Sequence, residues 1–185
     1  MPRSKSSQKS SKEQQKSQQK NQQTVAKGGS FHIEFLNTSQ KLAWAAFRQH
    51  DVLFMIGPAG TAKSFLSCAF AVEQLLNNKN IKNIVLTRPI VEAGESLGFL
   101  PGDFNEKVDP YIAPMYDALD LLVGKNSPQR DRVNAAIKVV PLAYMRGHSF
   151  RDSICILDEA QNSTKGQLKL FLSRFCTGSK VIVNG

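Results

Sequence analysis

The stretch Val52-Leu53-Phe54-Met55-Ile56, followed by Gly57-Pro58-Ala59-Gly60-Thr61-Ala62-Lys63-Ser64 and an apolar helical pattern from Phe65, decides the fold. A short apolar run reads as a buried strand, and the pattern after the loop reads as a helix. Strand, glycine-rich loop and helix in that order form the setting of a phosphate-binding loop. The first turn of a helix carries unpaired N–H groups and a partial positive charge. Glycine lets the backbone wrap closely around phosphate oxygens. In this reading Gly57, Pro58, Ala59, Gly60, Thr61 and Ala62 cradle the phosphates. Lys63 reaches the β- and γ-phosphates, and Ser64 ligates Mg²⁺. Ala62 stands where the pattern G-x-x-x-x-G-K-[ST] has its last glycine, so φ is expected to stay negative there. The alternative is an ordinary Gly/Pro turn between a strand and a helix.

A second motif favours the phosphate loop. Ile154-Cys155-Ile156-Leu157 reads as a buried strand, and it ends in Asp158-Glu159. Carboxylates at the end of a buried strand are costly without a cation or a task. Beside a phosphate loop, Asp158 holds Mg²⁺ directly or through water, and Glu159 orients and deprotonates the attacking water. Alone, the pair would read as the acidic first turn of a helix.

The chain has 185 residues, enough for one domain with a sizeable core. It shows no apolar stretch long enough to span a bilayer and no signal-peptide pattern at its start. Cys68, Cys155 and Cys176 lie far apart in apolar surroundings, without metal spacing, and read as buried thiols of a reducing cytoplasm. Of the net charge of +9, residues 1–28 carry +6: Arg3, Lys5, Lys9, Lys12, Lys16, Lys20 and Lys27 against Glu13. This Ser/Gln/Lys-rich tail has almost nothing to bury and is expected to be disordered. It suits either electrostatic attraction to nucleic acid or simple solubilisation, since no aromatics interleave the lysines.

Folding is expected from near Phe31, with the domain covering residues 29–185. A helix capped by Asn37 or Thr38 runs to Gln49, with Leu42, Ala45, Ala46 and Phe47 inward. Strands are predicted at Val52–Ile56, Asn83–Thr87, Ser153–Leu157 and Lys180–Asn184, with a further candidate at Ile137–Leu142. Helices are predicted at about Lys63–Leu76, Pro114–Val123, Gln129–Ala136 and Lys165–Phe175. Residues 89–110, with their glycines and prolines, read as a long irregular and therefore functional segment. Alternating strands and helices predict an α/β fold, a three-layer parallel sheet with ligands at the C-terminal strand ends. Both motifs lie at such ends.

Taken together, GPAGTAKS (57–64), LTRPIVEAGESLGFLPGD (86–103), YMRGHSF (144–150), ILDEAQN (156–162) and QLKLFLSRF (167–175) resemble the PhoH family of P-loop ATPases, across about residues 37–185. The resemblance implies a RecA-like core, ATP hydrolysis with Mg²⁺, a homo-oligomer such as a hexameric ring, RNA or DNA as partner, and a cytoplasmic location. It implies that Gln161 couples the γ-phosphate to neighbouring loops and that Gln40 meets the adenine edge; a polar loop residue and a surface-helix glutamine are the plainer readings. It places Arg88 and residues 89–103 in a motif facing nucleic acid, and makes Arg146 and Arg174 candidates for γ-phosphate contact. Family members continue beyond the position of Gly185, so the domain is expected to be C-terminally incomplete, leaving the first strand as an exposed edge. Two functional classes follow. One is an ATPase; the other is a nucleotide-switched nucleic-acid-binding module with negligible turnover. A small-molecule kinase fits less well, because the Asp-Glu pair suits water activation.

Overall fold

The computed structural model describes residues 33–89 and 104–185. The N-terminal tail and most of the 89–103 segment lie outside the described residues. In chain order the elements are α1 (Thr38–Gln49), β1 (Val52–Met55), α2 (Lys63–Asn77), β2 (Asn83–Thr87), α3 (Phe104–Val123), α4 (Pro128–Ala136), β3 (Ile137–Val139), β4 (Ser153–Leu157), α5 (Lys165–Leu172) and β5 (Lys180–Asn184). Short 3₁₀ turns sit at Leu142–Tyr144 and Ala160–Asn162. The strands form a parallel sheet in the order β1-β5-β4-β2-β3.

The continuous apolar strands β2, β4 and β5 are covered on both faces, as parallel strands must be. On one face Ile84, Leu86, Ile154, Ile156 and Ile182 pack under α1 to α4. On the other, Val85, Cys155, Leu157, Val181 and Val183 pack with Leu142, Met145, Phe150 and Phe171. This is the expected α/β fold, with its layers on either side of a parallel sheet. β1 forms one edge; Val52 and Phe54 are 36% and 47% exposed on it, and Ile56 just beyond is 84% exposed.

Several boundaries differ from the sequence reading. α1 begins as expected, with the Asn37 side chain accepting from Gln40 N–H at 2.9 Å. Its inner stripe, however, is Gln40, Ala43, Trp44 and Phe47, whereas Leu42 is 66% exposed and Ala45 also faces out. The ring of Trp44 settles the helix rotation: it meets Phe35, Phe47 and Phe70, and Phe47 stacks on Phe70 at 4.7 Å. α3 starts at Phe104 and passes through Pro110 and Pro114, although proline removes a helical N–H. Burial of Ile112, Met115, Leu119 and Leu122 on one stripe holds this helix despite the lost bonds. β1 ends at Met55 and α5 at Leu172. β3 stops at Val139, because Pro141 cannot donate to a ladder and the chain turns into a 3₁₀ segment. No described helix is long and apolar enough to cross a membrane.

Candidate functional site

The loop after β1 turns back through Gly60, at φ 78°, and Ala62, at φ 67°. The expectation of a negative φ at Ala62 is therefore wrong. Ala62 is the residue immediately before α2 and occupies the left-handed region that glycine adopts freely. The alanine methyl bears the strain of this conformation. The Lys63 ammonium folds back onto the loop, donating to the carbonyls of Gly57 at 2.6 Å and Pro58 at 3.0 Å. Thr61 Oγ1 also donates to the Pro58 carbonyl, at 2.9 Å. These bonds close the loop around its own backbone.

Across the cleft, Asp158 and Glu159 follow β4. Asp158 is 1% exposed and fully engaged. Its Oδ1 accepts from Ser64 Oγ at 2.6 Å and from Asn184 Nδ2 at 3.1 Å; its Oδ2 accepts from Arg88 Nη2 at 2.8 Å. Glu159 is in the left-handed region at φ 55°, which aims its side chain back toward the cleft mouth. Its Oε1 lies 3.4 Å from Arg88 Nη2, and its Oε2 accepts from Gln161 Nε2. Burial, helped by the Asp158 charge, pushes the thiol of Cys68, on α2, up to about 12, so it stays protonated and inert.

Loop and carboxylates together line a cleft of about 410 Å³, a size that suits a small-molecule ligand. Its walls include Gly57, Ala59 through Ser64, Asp158, Glu159, Gln161, Asn184 and Gly185. The predicted loop and the Asp-Glu pair thus meet in space, with Pro58 behind the lining. Gln161 is at the cleft as well. Gln40 is not on its wall. Its amide oxygen accepts from Leu36 N–H at 2.8 Å and its nitrogen reaches the Thr61 carbonyl at 3.5 Å, so it braces the loop from behind. Arg146 is exposed, and Arg174 donates to the His148 carbonyl and Ser173 hydroxyl; neither lines the cleft.

Two participants escaped the sequence reading. Arg88 was expected to face nucleic acid and instead turns inward onto both carboxylates. The reason is register. Thr87 pairs with Leu157, so the next residues along the two parallel strands are Arg88 and Asp158. Asn184 ends β5, between β1 and β4, and bridges Ser67 Oγ at 3.0 Å to Asp158. Its signal was a polar residue closing an apolar strand, as Asp158 closes β4.

The donor set fits a nucleotide with a hard divalent cation. Ser64 hydroxyl and Asp158 carboxylate are oxygen ligands of the kind Mg²⁺ prefers. Among the described residues no group of three or more His, Cys, Asp or Glu could hold a metal alone. An ion here would draw its remaining ligands from phosphate and water. Comparison with known proteins gives the family. The family model described as PhoH-like protein matches residues 32–185. The chain belongs to the PhoH family. A PhoH-like protein of Bacillus subtilis is 50% identical over 160 residues, 86% of this chain and 49% of that relative. One from Synechocystis is 51% identical over 140 residues, 76% of this chain and 42% of the relative. Protein PhoH of Escherichia coli K12 is 41% identical over 152 residues, 80% of this chain and 42% of that protein. The chain therefore spans about half the length, or less, of these relatives.

Proposed function

We propose that this chain binds ATP with Mg²⁺ and hydrolyses it. One observation carries the reading: the Ser64 hydroxyl of the phosphate loop and the buried Asp158 carboxylate stand 2.6 Å apart at the cleft. They are oxygen donors of the kind that hold a nucleotide-bound Mg²⁺, directly or through water. Loop N–H groups and the α2 N-terminus would hold the phosphates. Lys63 would exchange the carbonyls of Gly57 and Pro58 for the β- and γ-phosphates. Mg²⁺ held by Ser64 and Asp158 would supply charge neutralisation to the phosphates. Glu159 would accept the proton of a water placed in line with the γ-phosphate, and Gln161, already bonded to Glu159, would register that phosphate's presence. RNA or DNA as a partner rests on the family likeness and on the net charge of +9, a ring-shaped homo-oligomer on the family likeness alone, and a cytoplasmic location on the free cysteines Cys68, Cys155 and Cys176.

The test is phosphate release from Mg-ATP by this chain and by its Glu159→Gln variant, with binding of a fluorescent ATP analogue measured for both. Turnover is expected to fall at least about 100-fold in the variant while the analogue still binds. Binding by both with turnover by neither would replace the ATPase with the nucleotide-switched module. Equal turnover by both would remove Glu159 from the role of base.

A further inference from the structure

Arg88 is the residue that the cleft's chemistry leaves unassigned. Its side chain is 16% exposed, and a guanidinium taken this far out of water is costly unless its nitrogens are paired. The pairing here is directional. Nη2 alone bridges Asp158 Oδ2 at 2.8 Å and Glu159 Oε1 at 3.4 Å, while Nε is buried without a partner among the described residues. Nη1 donates to the carbonyl of Tyr111 at 2.8 Å. That carbonyl lies on α3 between Pro110 and Pro114. The planar fork thus spans from α3 to the ends of β2 and β4. A compact ammonium would reach one of these partners at a time.

The division of the Asp158 oxygens is the informative point. Oδ1 faces the loop, where Ser64 meets it; Oδ2 faces Arg88. Oδ1 is also held by Asn184 Nδ2 at 3.1 Å, and the bond from Arg88 to Oδ2 adds the second fixed point that sets the plane of the carboxylate. With Oδ2 pinned, Oδ1 is the atom presented toward the phosphate loop. The same nitrogen fixes where Glu159 stands relative to Asp158. We propose that Arg88 is a positioning residue for the metal-binding carboxylate, aiming Asp158 Oδ1 at the cation and setting Glu159 beside it, with α3 as its support. The proposal rests on the nucleotide-binding reading above and extends it to a residue outside both motifs.

An opposing account is specific and separable. Arg88 could serve only as a counter-charge that neutralises the carboxylates until a cation arrives. Removing a stand-in of that kind would strengthen Mg²⁺ binding, because one positive charge near the site is gone. Removing a positioning residue weakens it, as loss of groups that orient metal ligands does by about 10–100-fold.

The experiment measures the affinity of a fluorescent ATP analogue for the full chain with and without Mg²⁺, in wild type, Arg88→Gln and Arg88→Lys. The readout is the ratio of the two affinities. Wild type is expected to bind more tightly with Mg²⁺. In Arg88→Gln that gain is expected to shrink at least about tenfold, with Arg88→Lys intermediate. Retained Mg-free binding shows that a variant folds; should Arg88→Gln fail that check, Arg88→Lys carries the comparison. A gain that is unchanged or enlarged in the variants overturns the positioning role. A wild-type chain that binds the analogue under neither condition overturns the nucleotide reading itself, and the Arg88 proposal with it.

Discussion

The two walls of the cleft are built in opposite ways. The phosphate loop is one contiguous segment whose shape comes from its own backbone: left-handed turns at Gly60 and Ala62, and Lys63 bonded to carbonyls five and six residues earlier. The carboxylate wall is assembled from three distant pieces, Arg88 after β2, Asp158 after β4 and Asn184 on β5, and meets the loop at Ser64. The loop is half open to solvent, while Asp158 and Asn184 are each 1% exposed. One wall is shaped by bonds within its own backbone segment; the other is held by buried polar contacts between distant segments, with a left-handed residue of its own at Glu159. Removing a phosphate-holding side chain from the first should therefore change nucleotide affinity with little effect on stability, whereas substitutions on the second should change stability and the part of the affinity that depends on Mg²⁺.

The largest effect that would sharpen this contrast is Lys63→Ala. Two charge-assisted bonds to phosphate, each worth roughly 1.5–3 kcal/mol, would vanish. Affinity for an ATP analogue should fall more than about 100-fold, while the unfolding free energy changes by less than about 1 kcal/mol, since the lost contacts are partly solvated. Titration and chemical denaturation of the same sample check both halves. Unchanged affinity would sink the loop's role in holding phosphate.

Asn184→Ala comes next and should show the reverse. It removes the donor on Asp158 Oδ1 and the acceptor of Ser67 Oγ, both buried. Ser67 keeps its bond to the Lys63 carbonyl at 3.0 Å and Asp158 keeps Ser64 and Arg88, so the loss is limited. A stability decrease of about 1–2 kcal/mol is expected from denaturant unfolding. A variant as stable as wild type would show that the carboxylate wall does not depend on its distant contacts.

The same contrast explains what was legible. The loop and the Asp-Glu pair are runs of adjacent residues, so their chemistry can be read along the chain. Arg88 and Asn184 acquire their partners only through strand order. Nothing in the sequence says that β2 lies beside β4 or that β5 enters between β1 and β4, so their inward aim was hidden. The start of α3 was hidden for a different reason: Pro110 and Pro114 carry a strong local signal against helix, and burial of Met115 and Leu119 outweighs it. The rotation of α1 was missed because Leu42 has a core residue's composition but an outward position, fixed by how Trp44 packs.

The smallest effect tests the loop wall alone. Ala62 at φ 67° is an L-residue in a conformation that disfavours its Cβ by about 1–2 kcal/mol. Glycine would relieve that strain in the folded state and add backbone freedom to the unfolded one. These terms oppose each other, at about 1–2 and 0.4–1 kcal/mol. The strain is the larger, so Ala62→Gly should be neutral to stabilising by up to about 1 kcal/mol, read from denaturant midpoints at constant m-value. The opposite result, a clear destabilisation, would mean that the loop conformation in solution has Ala62 at negative φ. The backbone account of the phosphate wall would then fail at its most strained residue, while the carboxylate wall would stand untouched.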